Sequence, residues 1–145
     1  MNYPTKRWAA GVIFFDGDWK ILLLEPTYKN DWEIPGGIIE DSESPKECCE
    51  REVLEELWLE KEVGKLLCLE YQREADDSYM FVFDGWVLSE EEIKDIKLQD
   101  SEIKSFGFYD LQDIENKVLK KMFVRIGKSI EARKKERWAY YETIY

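Results

Sequence analysis

The sequence predicts a mixed α+β domain, and three observations carry that prediction. Apolar, β-prone runs dominate the first quarter of the chain, a clear helix start stands at Ser44–Glu47, and a helical pattern closes the sequence from Leu111 onward. At 145 residues the chain reads as one domain, residues 1–145. A chain of this size buries roughly two-thirds of the surface it exposes when unfolded. Hydrophobic residues make up 44% of it, enough for a core and too many for a disordered tail.

The elements follow in order. Trp8 to Phe15 and Trp19 to Leu24 are strand-like runs flanking Asp16-Gly17-Asp18, and the pair reads as a hairpin. Glu25 to Asp31 reads as a loop. In Trp32-Glu33-Ile34-Pro35-Gly36-Gly37, Pro35 cannot donate to a ladder and the glycines allow a close backbone approach. Ser44-Pro45-Lys46-Glu47 fits a capping box with Ser44 at N-cap, Pro45 at N1 and Glu47 at N3, opening a helix to about Leu57. Val63 to Gln72 and Ser78 to Leu88 read as strands around the polar turn Arg73 to Asp77. Ser89 to Asp95 fits a short helix or a loop, and its Glu90-Glu91-Glu92 run reads as a solvated face. Ile103 to Tyr109 alternates like a strand, and the helical pattern then runs to about Arg137.

Charge and composition narrow the chemistry. The net charge is −11, which argues against a nucleic-acid polymer as partner, since such a surface needs a basic face. The excess is uneven: the segment from Lys117 to Tyr145, with a basic helix at about 117–137, carries a net +6. That fits a solvated helix face offsetting an acidic body, or a patch attracting phosphate. Histidine is absent, which removes His bases, His-containing triads and His metal ligands. The three cysteines, Cys48, Cys49 and Cys68, suggest no disulfide framework and form no CxxC. No run reaches the ~18 apolar residues of a membrane span, and the first residues show no secretory pattern. The expected setting is a reducing cytoplasm with no membrane partner.

The helix from Pro45 carries the chemistry. Glu52, Glu55 and Glu56 share an arc of about 100° on one face, and Arg51 stands at i,i+4 to Glu55. Cys49, Val53 and Leu57 form a separate apolar stripe that should face the core. Clustered carboxylates raise one another's pKa unless a cation sits among them. Hard cations such as Mg²⁺ take carboxylates, waters and substrate phosphates. A solvated acidic face and a metal site both fit this geometry. Cys48 falls among the carboxylates and reads as a small spacer, because a soft thiol is a poor Mg²⁺ ligand.

The spacing goes further. Five residues separate Gly37 from Glu43 and seven separate Glu43 from Arg51-Glu52; Val53, Leu54, Glu55, Glu56, Leu57, Trp58 and Leu59 follow. This 23-residue signature, 37 to 59, resembles the Nudix box, G-x5-E-x7-R-E-U-x-E-E-x-G-U, with six of seven fixed positions and both bulky aliphatic positions matched. The resemblance implies an α/β/α sandwich, a mixed sheet between helices. It also implies Mg²⁺ or Mn²⁺ and hydrolysis of a diphosphate linkage in a nucleoside diphosphate joined to another group. Glu52, Glu55, Glu56 and the carbonyl of Gly36 are the implied metal ligands or water-activating groups, with Glu52 or Glu55 as general base. Gly37 and Glu43 support the box, and Arg51 serves the catalytic set by positioning. Glu102 is the candidate for a further acid outside the box. Trp58 stands where the family has Gly. A bulky residue resists the left-handed conformation that glycine adopts there, so the helix is expected to run on through Trp58-Leu59-Glu60. That departure keeps open a catalytically impaired, nucleotide-binding or regulatory module.

Substrate choice lies outside the box. No proline follows Pro45, so the proline associated with ADP-ribose hydrolases is missing; the tyrosine of diadenosine-polyphosphate hydrolases would fall at Ala75 to Asp77 and is absent. The zinc ribbon of the NADH-hydrolase branch is also lacking. What remains resembles small stand-alone bacterial members, including MutT-like enzymes acting on nucleoside triphosphates, so the expected substrate is a small nucleotide of the nucleoside di- or triphosphate type, and a homodimer stays open. Trp32, Tyr28 and Arg7 are the candidate substrate contacts. Lys29 is a further phosphate candidate, and Tyr71, Tyr79 and Trp86 are further aromatics near the expected cleft.

Overall fold

The computed structural model describes residues 2–73, 77–99 and 101–143. Its strands are β1 (Arg7–Phe15), β2 (Ile21–Pro26), β3 (Gly36–Ile38), β4 (Leu66–Gln72), β5 (Ser78–Val87), β6 (Ile103–Tyr109) and β7 (Ala139–Thr143). Its helices are α1 (Pro45–Leu57), α2 (Glu90–Lys94), α3 (Leu111–Ile114) and α4 (Lys120–Lys134). Residues 74–76 of the expected polar turn lie outside the described residues.

The strands form one mixed sheet in the order β6-β2-β1-β5-β4-β7, with β3 paired to β1. Side chains of β1 alternate between its faces. Ala10, Val12 and Phe14 join Cys49, Val53 and Leu57 of α1 in one core cluster. Ile13 and Phe15 join Ile126 of α4 in the other. Helices therefore cover both faces, giving the expected α/β/α sandwich. The apolar stripe of α1 is fully buried, as its spacing predicts.

The hairpin is looser than expected. Trp19 lies in the turn at φ 62°, not in the strand, and β1 and β2 register only at Phe15 and Ile21. Farther back β3 takes that edge of β1, at Ala9–Gly11, while β2 pairs along β6. The closing helical pattern is also interrupted. Val118 bridges Trp32, and the carbonyl of Lys117 accepts a 2.8 Å hydrogen bond from the Trp32 N–H. This long-range pairing pulls the chain out of helix between α3 and α4. Strand β7 escaped the reading; it pairs in parallel with β4. A parallel partner seventy residues away leaves no local signature.

Helix α1 begins as expected: Ser44 Oγ accepts from the Glu47 N–H at 3.1 Å and Glu47 Oε1 accepts from the Ser44 N–H at 2.9 Å. Its end does not match expectation. The helix stops at Leu57, and Trp58 takes the left-handed conformation at φ 61°, ψ 31°, its N–H bonded to the Leu54 carbonyl. The indole is 64% exposed, so no packing resists this geometry. In α2 a second capping box forms between Ser89 and Glu92. Glu92 also pairs with Lys61 at 2.7 Å, so the acidic run is only partly a solvated face.

Candidate active site

The site forms where β3 meets α1. Arg51 grips Glu43 through both arms of its guanidinium, Nε at 2.7 Å and Nη2 at 3.0 Å. Nη2 also donates to the Ile38 carbonyl at 3.1 Å, tying the helix to β3. Nη1 reaches Glu52 at 2.9 Å and Glu55 at 3.3 Å. One side chain thus positions three of the four box glutamates. The fourth, Glu56, is 5% exposed and accepts from the Gly36 N–H at 3.0 Å. The glycines admit this contact: a Cβ on Gly36 would overlap the Ala10 carbonyl, and one on Gly37 would overlap the Glu52 carboxylate.

The electrostatics divide the glutamates. Arg51 holds the Glu43 carboxyl down at about 2. Burial raises Glu52, with Arg51 opposing. Burial pushes Glu56 up to about 9, against the Gly36 N–H and reinforced by Glu52, Glu33 and Glu102. Glu102 stands just before β6, and its charge acts on both Glu52 and Glu56. Cys48 is buried, 3.6 Å from the Gly37 carbonyl, and burial pushes its thiol up to about 12. A neutral thiol is no ligand for a hard cation, consistent with a spacer.

The side chains expected as ligands, Glu52, Glu55, Glu56 and Glu102, offer only oxygen, the donor chemistry a hard divalent cation requires. Glu56 is the telling member: a buried carboxyl with one backbone hydrogen bond and no cation of its own. Among the described residues no three acidic or thiol side chains converge on one point, with Arg51 lying between Glu52 and Glu55.

A cavity of about 290 Å³ adjoins this face. Arg7, Lys29 and Trp32 line it, as does Tyr79. Tyr28 does not; it is exposed and its hydroxyl donates to Glu33. Trp86 lies at the opposite end of β5, away from the cleft where the sequence reading put it. The lining also includes Glu33, Lys121 and Arg125, which the sequence reading missed. Glu33 links cavity and box, since its charge acts on Glu56. Arg125 is buried against Glu70 at 2.6 Å. No local pattern marks these residues, because helix α4 and strand β4 bring them together.

Residues 5–132 match the family model described as the NUDIX domain, and the chain belongs to that family. It is therefore a hydrolase of phosphorus-containing acid anhydrides, from a family whose members typically use divalent metal ions. The solved structures agree in fold. A NUDIX hydrolase from Nitrosomonas europaea is 18% identical, covering 99% of this chain and 82% of its own, with a TM-score of 0.79. A UDP-X diphosphatase is 23% identical, covering 97% and 69%, with a TM-score of 0.77. An ADP-ribose pyrophosphatase from Streptococcus suis 89-1591 is 23% identical, covering 96% and 100%, with a TM-score of 0.75. No match was found among curated proteins. No helix among the described residues is long and apolar enough to cross a membrane.

Proposed function

We propose that the chain hydrolyses a diphosphate linkage in a small nucleotide, a nucleoside diphosphate joined to a second group, in the cytoplasm and with Mg²⁺ or Mn²⁺. The observation that carries this reading is the glutamate set held by Arg51 under Gly36–Gly37, beside a basic cavity. The UDP-X diphosphatase and the ADP-ribose pyrophosphatase of like fold act on substrates of this class, which supports it.

Glu52, Glu55, Glu56, the Gly36 carbonyl and Glu102 would hold the metal. A divalent cation bound there supplies neutralisation of the diphosphate oxygens and acidification of a water. Glu52 or Glu55 would take a proton from the water that attacks phosphorus, the P–O bond to the bridging oxygen breaking as the other phosphate leaves with its attached group. Arg51 keeps both carboxylates in place, and Gly37 leaves room for Glu52. Arg7 and Lys29 meet phosphate charge, and Trp32 offers a ring face to the base.

The test is a nucleotide panel with Mg²⁺ and identification of products. Nucleoside monophosphate products should appear, and Glu55→Gln should abolish them; no turnover on a broad panel would sink the reading. An impaired binding module was motivated by Trp58 alone. The left-handed backbone of Trp58 supports the catalytic reading, and tight nucleotide binding without turnover, unrestored by Trp58→Gly, would favour the impaired module instead.

A further inference from the structure

A second cavity, of about 430 Å³, lies at the other end of the sheet, against the last turn of α4. It shares β4, β5 and α4 with the first cavity but uses their opposite ends. Ala132 and Arg133 line it where Met122 and Arg125 line the other, so roughly 10 Å of helix separates them. Its volume falls within the range of roughly 300–1,000 Å³ typical of small-molecule sites.

Its walls are built rather than incidental. Strand β5 bulges where Phe14 pairs with Trp86 instead of Gly85, and Trp86 sits at φ 65°, a left-handed geometry that costs an indole-bearing residue. The strained turn is fixed by Asp84, whose Oδ1 accepts from the Trp86 N–H at 2.9 Å. Asp84 Oδ2 takes Arg133 Nε at 2.8 Å. That pair holds the Arg133 guanidinium 5.6 Å from the Trp86 ring centre and 4.9 Å from Trp19. After α4 the Arg137 N–H returns to the Ala132 carbonyl while Glu136 sits at φ 54°. This closure satisfies helix-end carbonyls internally, so side chains of Arg137 and Trp138 meet the cavity. Two tryptophans stand about half exposed, Trp86 at 49% and Trp138 at 58%. Lys65 and Arg137 add positive charge beside the neutralised Asp84–Arg133 pair, with Glu136 the opposing carboxylate.

We propose that this cavity is a second binding site, taking a flat aromatic ring that carries phosphate, of mononucleotide size. The ring stacks on Trp138 and Trp86, and Arg137 and Lys65 meet the phosphate. The proposal does not rest on the catalytic reading.

The test is titration of the full chain with AMP in EDTA, read by calorimetry and tryptophan emission. AMP should quench emission, with adenosine and inorganic phosphate each binding about tenfold more weakly or worse. Trp138→Ala and Arg137→Glu should each cost about tenfold in affinity, with Trp138→Phe retaining most of it. Both residues are exposed, so the variants fold, and hydrolysis at the first site should be unchanged. Arg7→Glu and Lys121→Glu, in the first cavity, should weaken only a separate binding event there and leave in place the one that Trp138→Ala weakens. Four outcomes overturn the proposal: no binding at millimolar AMP, all AMP binding lost in the Arg7 or Lys121 variants but none in Trp138→Ala, phosphate binding as tightly as AMP, or self-association that Trp138→Ala abolishes without any AMP binding.

Discussion

At its N-terminal end α1 is closed by its own chain: Ser44 and Glu47 cap it, and Arg51 answers the Glu43 charge through two hydrogen bonds. At its C-terminal end the same helix is left open. Glu56 is buried with one backbone N–H, and Trp58 holds a conformation better suited to glycine. Glu43 is held at about 2 and Glu56 is pushed up to about 9, although both are glutamates of one motif. One end is satisfied by protein and stabilises the fold. The other buries a carboxyl that burial keeps from ionising and that a bound cation would let ionise, an arrangement a stable core avoids.

The largest effect should come from the open end. Glu56→Gln should lower kcat by about 100-fold or more, yet raise the stability of the metal-free protein, because it removes a buried unpaired carboxyl. A drop in both would break the comparison. Mg²⁺ or Mn²⁺ at about 100 times its Kd should stabilise the chain by about 2.7 kcal/mol in thermal melts, and Glu56→Gln should cut that gain. At the closed end, Arg51→Lys loses the two-armed grip and should cost about 1–2 kcal/mol in urea unfolding. Trp58→Gly should stabilise by about 1 kcal/mol, read as a higher Tm with α1 unchanged. The smallest effect is the acid response of Glu43. Its folded pKa is lowered from 4.5 to about 2, so its contribution is present above about 4.5 and fades as pH falls through about 2. Glu43→Gln should remove that part of the acid unfolding curve.

Much of this site was legible from residue order. The capping box and the apolar stripe of α1 are local features within fourteen residues, and both form as their spacing predicts. The supporting roles of Arg51 and Glu43 were implied by the family resemblance, and only the structure shows that the two bind each other. Trp58 was misread because local preference argued against a left-handed tryptophan; an exposed side chain and a helix end committed by the core overrode it. Lys121, Arg125 and Glu33 could not be found, since their meeting depends on where α4 crosses the sheet.

The sequence by itself determined the helix that bears the acids and the motif whose resemblance implied the family and its sandwich, because these rest on residue order within one continuous segment. Only the tertiary structure decided that Glu56 is buried while Glu43 is answered, that β7 closes the sheet, and that α4 borders two separate cavities. Burial and long-range pairing are properties of chain segments brought together from a distance, and no local periodicity records them.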